Sequence, residues 1–146
     1  MTENVSLYKD LHARDPKFGG RGDAGGLTSN LTKAINKLEG FGIKSVLDFG
    51  TGKGNLVKTL RLEMDTSKYR IDGYDPAVSE WDKKPNGRYD IVTCIDVLEH
   101  LERHNIDRFL ADLKQHVERF CFLLIDLQPA VQQLSNGRNA HTLLAP

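Results

Sequence analysis

The apolar positions of the chain keep two different rhythms. Val46-Leu47-Asp48-Phe49, Tyr69 to Tyr74, Tyr89 to Ile95 and Phe120 to Ile125 are short runs rich in β-branched and aromatic residues, the mark of strands. Between them apolar residues return at helical spacing: Leu31, Ile35 and Leu38, then Leu56, Val57, Leu60 and Met64, then Ile106, Phe109, Leu110, Leu113 and Val117. Each set lays an apolar stripe along one helix face. The pattern predicts a helix that opens at Thr28 or Ser29 and stops at Gly40 and Gly42, and a first strand over about Lys44 to Phe49. A helix through Met64, a strand ending at Asp75, a third strand over Tyr89 to Ile95 and a helix from about Asn105 follow. The run from Phe120 to Ile125 lacks polar alternation, which predicts a strand buried on both faces. Strands alternating with helices build parallel βαβ units, so the fold class is α/β.

The flanks and the middle are less regular. Residues 1–26 contain Phe18-Gly19-Gly20 and Ala24-Gly25-Gly26, and so many glycines predict a mobile leader that carries little of the core. Arg21-Gly22-Asp23 spells an integrin tripeptide, although nothing else points to an extracellular protein. Residues 77–88 form a short polar connection with a Pro85-Asn86-Gly87 turn signal. The tail, 128–146, is polar until His141-Thr142-Leu143-Leu144. The whole of 1–146 reads as one domain.

The candidate chemistry begins where the first strand ends, at Asp48-Phe49-Gly50-Thr51-Gly52-Lys53-Gly54. A P-loop needs four residues between its first glycine and a Gly-Lys-Ser/Thr ending, which is absent, and in a G-x-G-x-x-G dinucleotide turn the third glycine falls one residue later. The spacing Asp48-x-Gly50-x-Gly52-x-Gly54 instead resembles motif I of class I S-adenosylmethionine-dependent methyltransferases. Asp75 follows the second strand a little over 20 residues past the turn, where an αβ unit places a carboxylate for ribose hydroxyls. The resemblance implies a Rossmann-like three-layer sandwich with a mostly parallel sheet in the order second, first, third, fourth strand. The sheet is reduced relative to the seven-stranded fold, because only four strands are readable. It also implies a cofactor site for S-adenosylmethionine, with S-adenosylhomocysteine as product. Asp48, Gly50, Thr51, Gly52, Gly54, Asp75, Pro76 and Asp96 would line this site, with Pro76 beside the adenine. Trp81 and Asp82 are candidates for reading the adenine edge, unless Trp81 simply caps the core. Tyr8 and His12 are expected to reach the methionine end if the leader folds over.

A second cluster, Asp96-Val97-Leu98-Glu99-His100-Leu101, follows the third strand. It looks like the corresponding region of ubiquinone O-methyltransferase-type enzymes and of small-RNA 2′-O-methyltransferases. That likeness implies that Asp96, Glu99 and His100 face the methyl acceptor, with His100 as a metal-free base or as part of a divalent-metal site. In the metal reading Asp96, Glu99 and His100 are ligands and His141 completes the set; carboxylates and imidazoles suit such ions. An Asn/Asp-Pro-Pro-Tyr/Phe signature and a Pro-Cys nucleophile are both missing at this strand end. A hydroxyl of a small molecule is therefore the expected acceptor.

Composition narrows partners rather than fold. Twenty basic and twenty acidic residues cancel, so nucleic acid is not indicated by charge. No run is long and apolar enough to span a bilayer, and the start of the chain lacks a secretory pattern; the expected place is the cytoplasm. Cys94 and Cys121 sit in strand-like runs and are expected buried and reduced. An apolar fourth strand at a sheet edge needs a cover, either from Leu143 and Leu144 or from a homo-oligomer. Two other functions stay open at this point: a domain that binds S-adenosylmethionine or S-adenosylhomocysteine without turnover, and an NAD-dependent oxidoreductase, which Asp75 would serve equally well.

Overall fold

The structure is a computed structural model in which residues 2–20 and 27–144 are described; the Arg21-Gly22-Asp23 tripeptide lies outside them. In chain order the elements are α1 (Thr2–Arg14), α2 (Leu27–Leu38), β1 (Ser45–Phe49), α3 (Asn55–Glu63), β2 (Arg70–Tyr74), β3 (Tyr89–Ile95), α4 (Ile106–His116) and β4 (Val117–Leu124). The strands form one sheet in the order β2-β1-β3-β4, and every pairing is parallel. The expected strand order and three-layer α/β architecture are therefore observed, with a wholly parallel sheet. Residues 77–88 hold neither helix nor strand, so the reduction falls in the middle of the chain.

Side-chain alternation decides which layer each residue joins. Val46, Ile71 and Ile91 face α2 and α3, where they bury Leu31, Ile35, Leu56, Val57 and Leu60. Leu47, Phe49, Val92 and Cys94 point to the other face and meet Leu113 and Phe109 of α4. Asp48 and Thr93 interrupt the apolar series next to each other in the parallel register, and the Thr93 hydroxyl donates to Asp48 Oδ1 over 2.7 Å.

Four expectations are corrected. The leader carries a share of the core, because α1 takes Tyr8 and Leu11 into a third buried cluster with Phe18, Leu134 and Ala140; positions 21–26 lie outside the described residues. The fourth strand is not covered on both faces: Phe120, Phe122, Leu123 and Leu124 each keep between 37% and 44% of their surface exposed. The expected covering strand at Leu143 and Leu144 does not form, since Thr142–Leu144 is a 3-10 turn packed near Leu98–His100. Cys121, on that strand, is exposed; Cys94 is buried, and both thiols are free. Among the described residues no helix is long and apolar enough to cross a membrane.

Candidate active site

The carboxyl ends of β1, β2 and β3 open into one cavity of about 670 Å³, a size typical of small-molecule sites. The glycine turn forms its floor because its backbone must fold tightly under Val97 and Gly19 of the same chain. Gly50 has φ +91, and a Cβ there would lie 2.3 Å from the Val97 side chain; Gly52 has φ +55, and a Cβ there would lie 2.4 Å from the Gly19 carbonyl oxygen. Both positions reject a side chain on conformation and on space. Residues 17–20 lie over this turn: the Gly19 carbonyl accepts from Lys53 N–H and the Gly20 carbonyl from the Asn55 side-chain amide. The Lys53 ammonium donates to the His12 carbonyl, which fastens α1 to the same turn.

Asp75 closes the turn from the second strand. Its Oδ2 accepts from Gly52 N–H at 2.9 Å and its Oδ1 from Ala77 N–H at 2.8 Å. A carboxylate offers about four lone-pair sites, so two remain after these bonds. Asp48 is buried beneath, and that burial pushes its carboxyl up to about 6, against the lowering bond from Thr93. Asp96 holds a left-handed backbone, φ 52, where the chain turns out of β3, and its N–H donates to the Leu124 carbonyl. That turn delivers Leu98–His100 to the opposite wall.

His100 is anchored through one ring nitrogen. Its Nδ1 lies 2.9 Å from the Ala140 carbonyl oxygen. A carbonyl only accepts, so Nδ1 carries the proton and Nε2 the lone pair. Burial holds the ring well below the ordinary histidine range, at about 4; the imidazole is neutral at pH 7. Tyr8 and Phe18 pack on it with ring centroids 5.2 and 5.4 Å away, and His141 stands 5.0 Å away. His141 has its own anchor, Nδ1 against the Gln128 carbonyl.

Most of the residues singled out from sequence meet here. Asp48, Gly50, Thr51, Gly52, Asp75, Pro76, Asp96, His100 and His141 all line the cavity, as do Tyr8 and His12. Three do not. Gly54 faces Trp81 instead, with the indole 2.4 Å from where its Cβ would stand. Trp81 packs against the α3 side of the core beside Lys58 and Arg61, so it caps the core, and neither it nor Asp82 lines the cavity. Glu99 points away from the acceptor side: it is fully buried, its Oε1 accepts from Asp126 N–H at 2.9 Å, and burial raises its carboxyl above the usual range. The expected four-residue metal set is thus not assembled, and among the described residues no group of three or more His, Cys, Asp and Glu side chains could hold an ion. Asn55, Phe18 and Gln128 also line the site and were not anticipated. Phe18 was hidden in a glycine-rich stretch, and Gln128 sits past the last readable strand.

The methyltransferase-domain family model matches residues 15–143. The chain therefore belongs to the class I S-adenosylmethionine-dependent methyltransferase family, and its reduced Rossmann-like sheet agrees. It is a methyltransferase by family, which replaces the nicotinamide alternative. No curated protein and no solved structure matches the chain.

Proposed function

We propose that the protein binds S-adenosylmethionine in the strand-end cavity and transfers its methyl group to a hydroxyl of a small molecule. The observation that carries this reading is the opposition of two walls across one cavity: Gly50, Gly52 and Asp75 on one side and the anchored imidazole of His100 on the other. The residues suit the cofactor. The floor offers backbone that a side chain would block, Asp75 retains lone pairs for ribose hydroxyls, and Asp48 is a buried carboxyl within the same lining for an ammonium group.

S-adenosylmethionine, when bound, supplies a methyl group on a sulfonium; transfer to a hydroxyl oxygen leaves S-adenosylhomocysteine and releases one proton. His100 Nε2 is the group that takes that proton. A ring held at about 4 is a weak base toward a resting hydroxyl, but the oxygen becomes strongly acidic as the new bond forms. Its proton then moves downhill to the imidazole. Before that, the same lone pair orients the hydroxyl by accepting its hydrogen bond. Tyr8, His12 and Phe18 close the site from the N-terminal side and exclude water.

The test is incubation of the full chain with methyl-labelled S-adenosylmethionine and matched alcohol, phenol and amine acceptors. Label transferred to oxygen is expected. Transfer to amines alone would overturn the hydroxyl reading, and cofactor binding with no transfer to any acceptor would favour a binding domain without turnover.

A further inference from the structure

The two edges of the sheet are built differently. β2 forms one edge and carries Arg70, Asp72 and Gly73 among its five residues; charge of this kind blunts an edge against further pairing. β4 forms the other edge, pairs with β3 alone among the described residues, and is uncharged from Phe120 to its end at Leu124 and on to Ile125. Phe120, Phe122, Leu123, Leu124 and Ile125 keep 37–44% of their surface exposed, and Leu127 keeps 71%. The direction of pairing fixes what this edge offers. The Leu124 carbonyl accepts from Asp96 N–H on the β3 side, and backbone groups alternate sides along a strand, so Cys121 and Leu123 turn their N–H and C=O outward. Donors and acceptors at strand spacing, with apolar side chains on both faces, are complemented by another strand of the same character.

We infer that the occupant is a second copy of this chain: β4 pairs antiparallel with its counterpart about a two-fold axis at Leu123, joining two four-stranded sheets into one. An axis normal to the sheet keeps the helical layers on matching sides, so residues opposite one another share a face and the axis falls on a residue. At Cys121 it would set Glu118 and Arg119 against Leu124 and Leu123 of the second copy. At Phe122 it would set Glu118 directly against Asp126 of the second copy, two like charges. At Leu123 it sets Phe122 opposite Leu124 and Cys121 opposite Ile125, and brings the Arg119 end of each strand beside the Asp126 end of the other. Glu118 is matched by Arg88 within its own copy, so the two ends that meet carry opposite net charge. The exposed parts of these six apolar side chains come to about 500 Å² per copy, taking roughly 200 Å² for each when fully open. A standard interface uses about 800 Å² per partner, so the contact is reversible and concentration-dependent. It consumes the apolar edge of both copies and leaves the charged β2 edges outside, so association closes at two.

The experiment is sedimentation equilibrium of the full chain under reducing conditions from about 1 to 100 μM, the range of a micromolar association. A monomer–dimer equilibrium with no larger species is expected. Leu123→Lys sets two ammonium groups at the axis and should weaken the dimer about tenfold or more, whereas Leu62→Lys, on the exposed face of α3, should leave it unchanged. A second measurement does not depend on how Leu123→Lys folds. In a Cys121→Ser background, Leu123→Cys places two thiols across the axis with Cα atoms about 5.5 Å apart, within disulfide reach, so mild oxidation should join the chains. In the natural chain the two Cys121 residues stand about 13 Å apart along the paired strands and should not join. Cys121, exposed in the single copy, should react with a thiol reagent freely in the dilute chain and more slowly as the copies pair. A monomer at every concentration, a dimer that Leu123→Lys leaves intact, joining through Cys121 but not through Leu123→Cys, or a Cys121 rate that does not fall with concentration would each overturn the inference.

Discussion

The hydroxyl of Tyr8 lies 2.7 Å from the carbonyl oxygen of Ala140, at the other end of the chain. The same oxygen receives the Nδ1–H of His100 at 2.9 Å, and the Tyr8 hydroxyl also lies 2.9 Å from the His100 carbonyl. A residue of α1, a helix that precedes the family-matched region, thus braces both attachment points of the proposed base. Burial pushes the Tyr8 hydroxyl up to about 12, so it stays a donor at any ordinary pH. Tyr8→Phe keeps the ring against Phe18 and removes the brace. The expected result is a fall in kcat of about tenfold, or about 1.4 kcal/mol, with affinity for S-adenosylhomocysteine unchanged within twofold. A loss of cofactor affinity equal to the loss of kcat would mean that Tyr8 merely supports the fold.

Acid and base groups in this site push stability in opposite directions. His100 is held at about 4 in the folded chain and is near 6.5 when unfolded. The unfolded state therefore binds more protons between those values, and stability from this group is lost as pH falls from about 6.5 to 4, on the order of 3 kcal/mol. Asp48 is raised to about 6 from near 3.8, so the folded state binds the extra proton and stability from this group is lost as pH rises from 3.8 to 6. Glu99 acts in the same direction as Asp48. Urea unfolding at pH 4.5 and pH 7 should show a small change for the natural chain. Asp48→Asn should make acidification more destabilising, and His100→Gln should make it stabilising relative to the natural chain. Identical pH slopes in all three would contradict these assignments.

The clamp of residues 17–20 on the glycine turn predicts an unequal cost for two alanines. Gly52→Ala drives a methyl into the Gly19 carbonyl, whereas Gly87, with φ +77, has nothing within 4 Å of its would-be Cβ. Gly87→Ala should cost about 1 kcal/mol, the left-handed penalty alone. Gly52→Ala should cost more than 2 kcal/mol and weaken S-adenosylhomocysteine at least tenfold. Equal stability losses by thermal unfolding would show that the clamp is not closed in solution.

The two cysteines report directly on how far the sheet is covered. Cys121 is exposed on β4, while Cys94 is buried and its thiol is raised well above its ordinary value by that burial. A thiol reagent should modify Cys121 in the native chain and Cys94 only after unfolding, since the thiolate is the reacting form. Protection of Cys121 would indicate that β4 is covered in solution.

Much of this arrangement is written in local patterns. Periodicity of two and of 3.6 names β1 to β3 and α2 to α4, because each buries one face against a neighbour close in sequence. The glycine spacing and Asp75 likewise announce the crevice, since strand ends in a parallel sheet converge on one side. Glu99 and His100 part for a local reason too: Leu98–His100 is a 3-10 turn, in which successive residues stand about 120° apart around the axis, so the adjacent side chains leave on different sides. What no local pattern carries is contact across the chain. Tyr8 and Leu11 look isolated until Leu134 and Ala140 arrive beside them. The exposure of Phe120 to Leu124 depends on neighbours that an apolar run by itself cannot supply.

The central claim is that the glycine turn and Asp75 hold the adenosyl group of a methyl donor. Calorimetric titration of S-adenosylhomocysteine into the full chain and into Asp75→Asn tests it most directly, because the amide cannot accept from two ribose hydroxyls and Gly52 N–H as the carboxylate does. Saturable one-to-one binding that weakens at least tenfold in the variant, about 1.4 kcal/mol, is the predicted result. Equal affinity in both proteins, or tight binding of NAD with no response to S-adenosylhomocysteine, would contradict it.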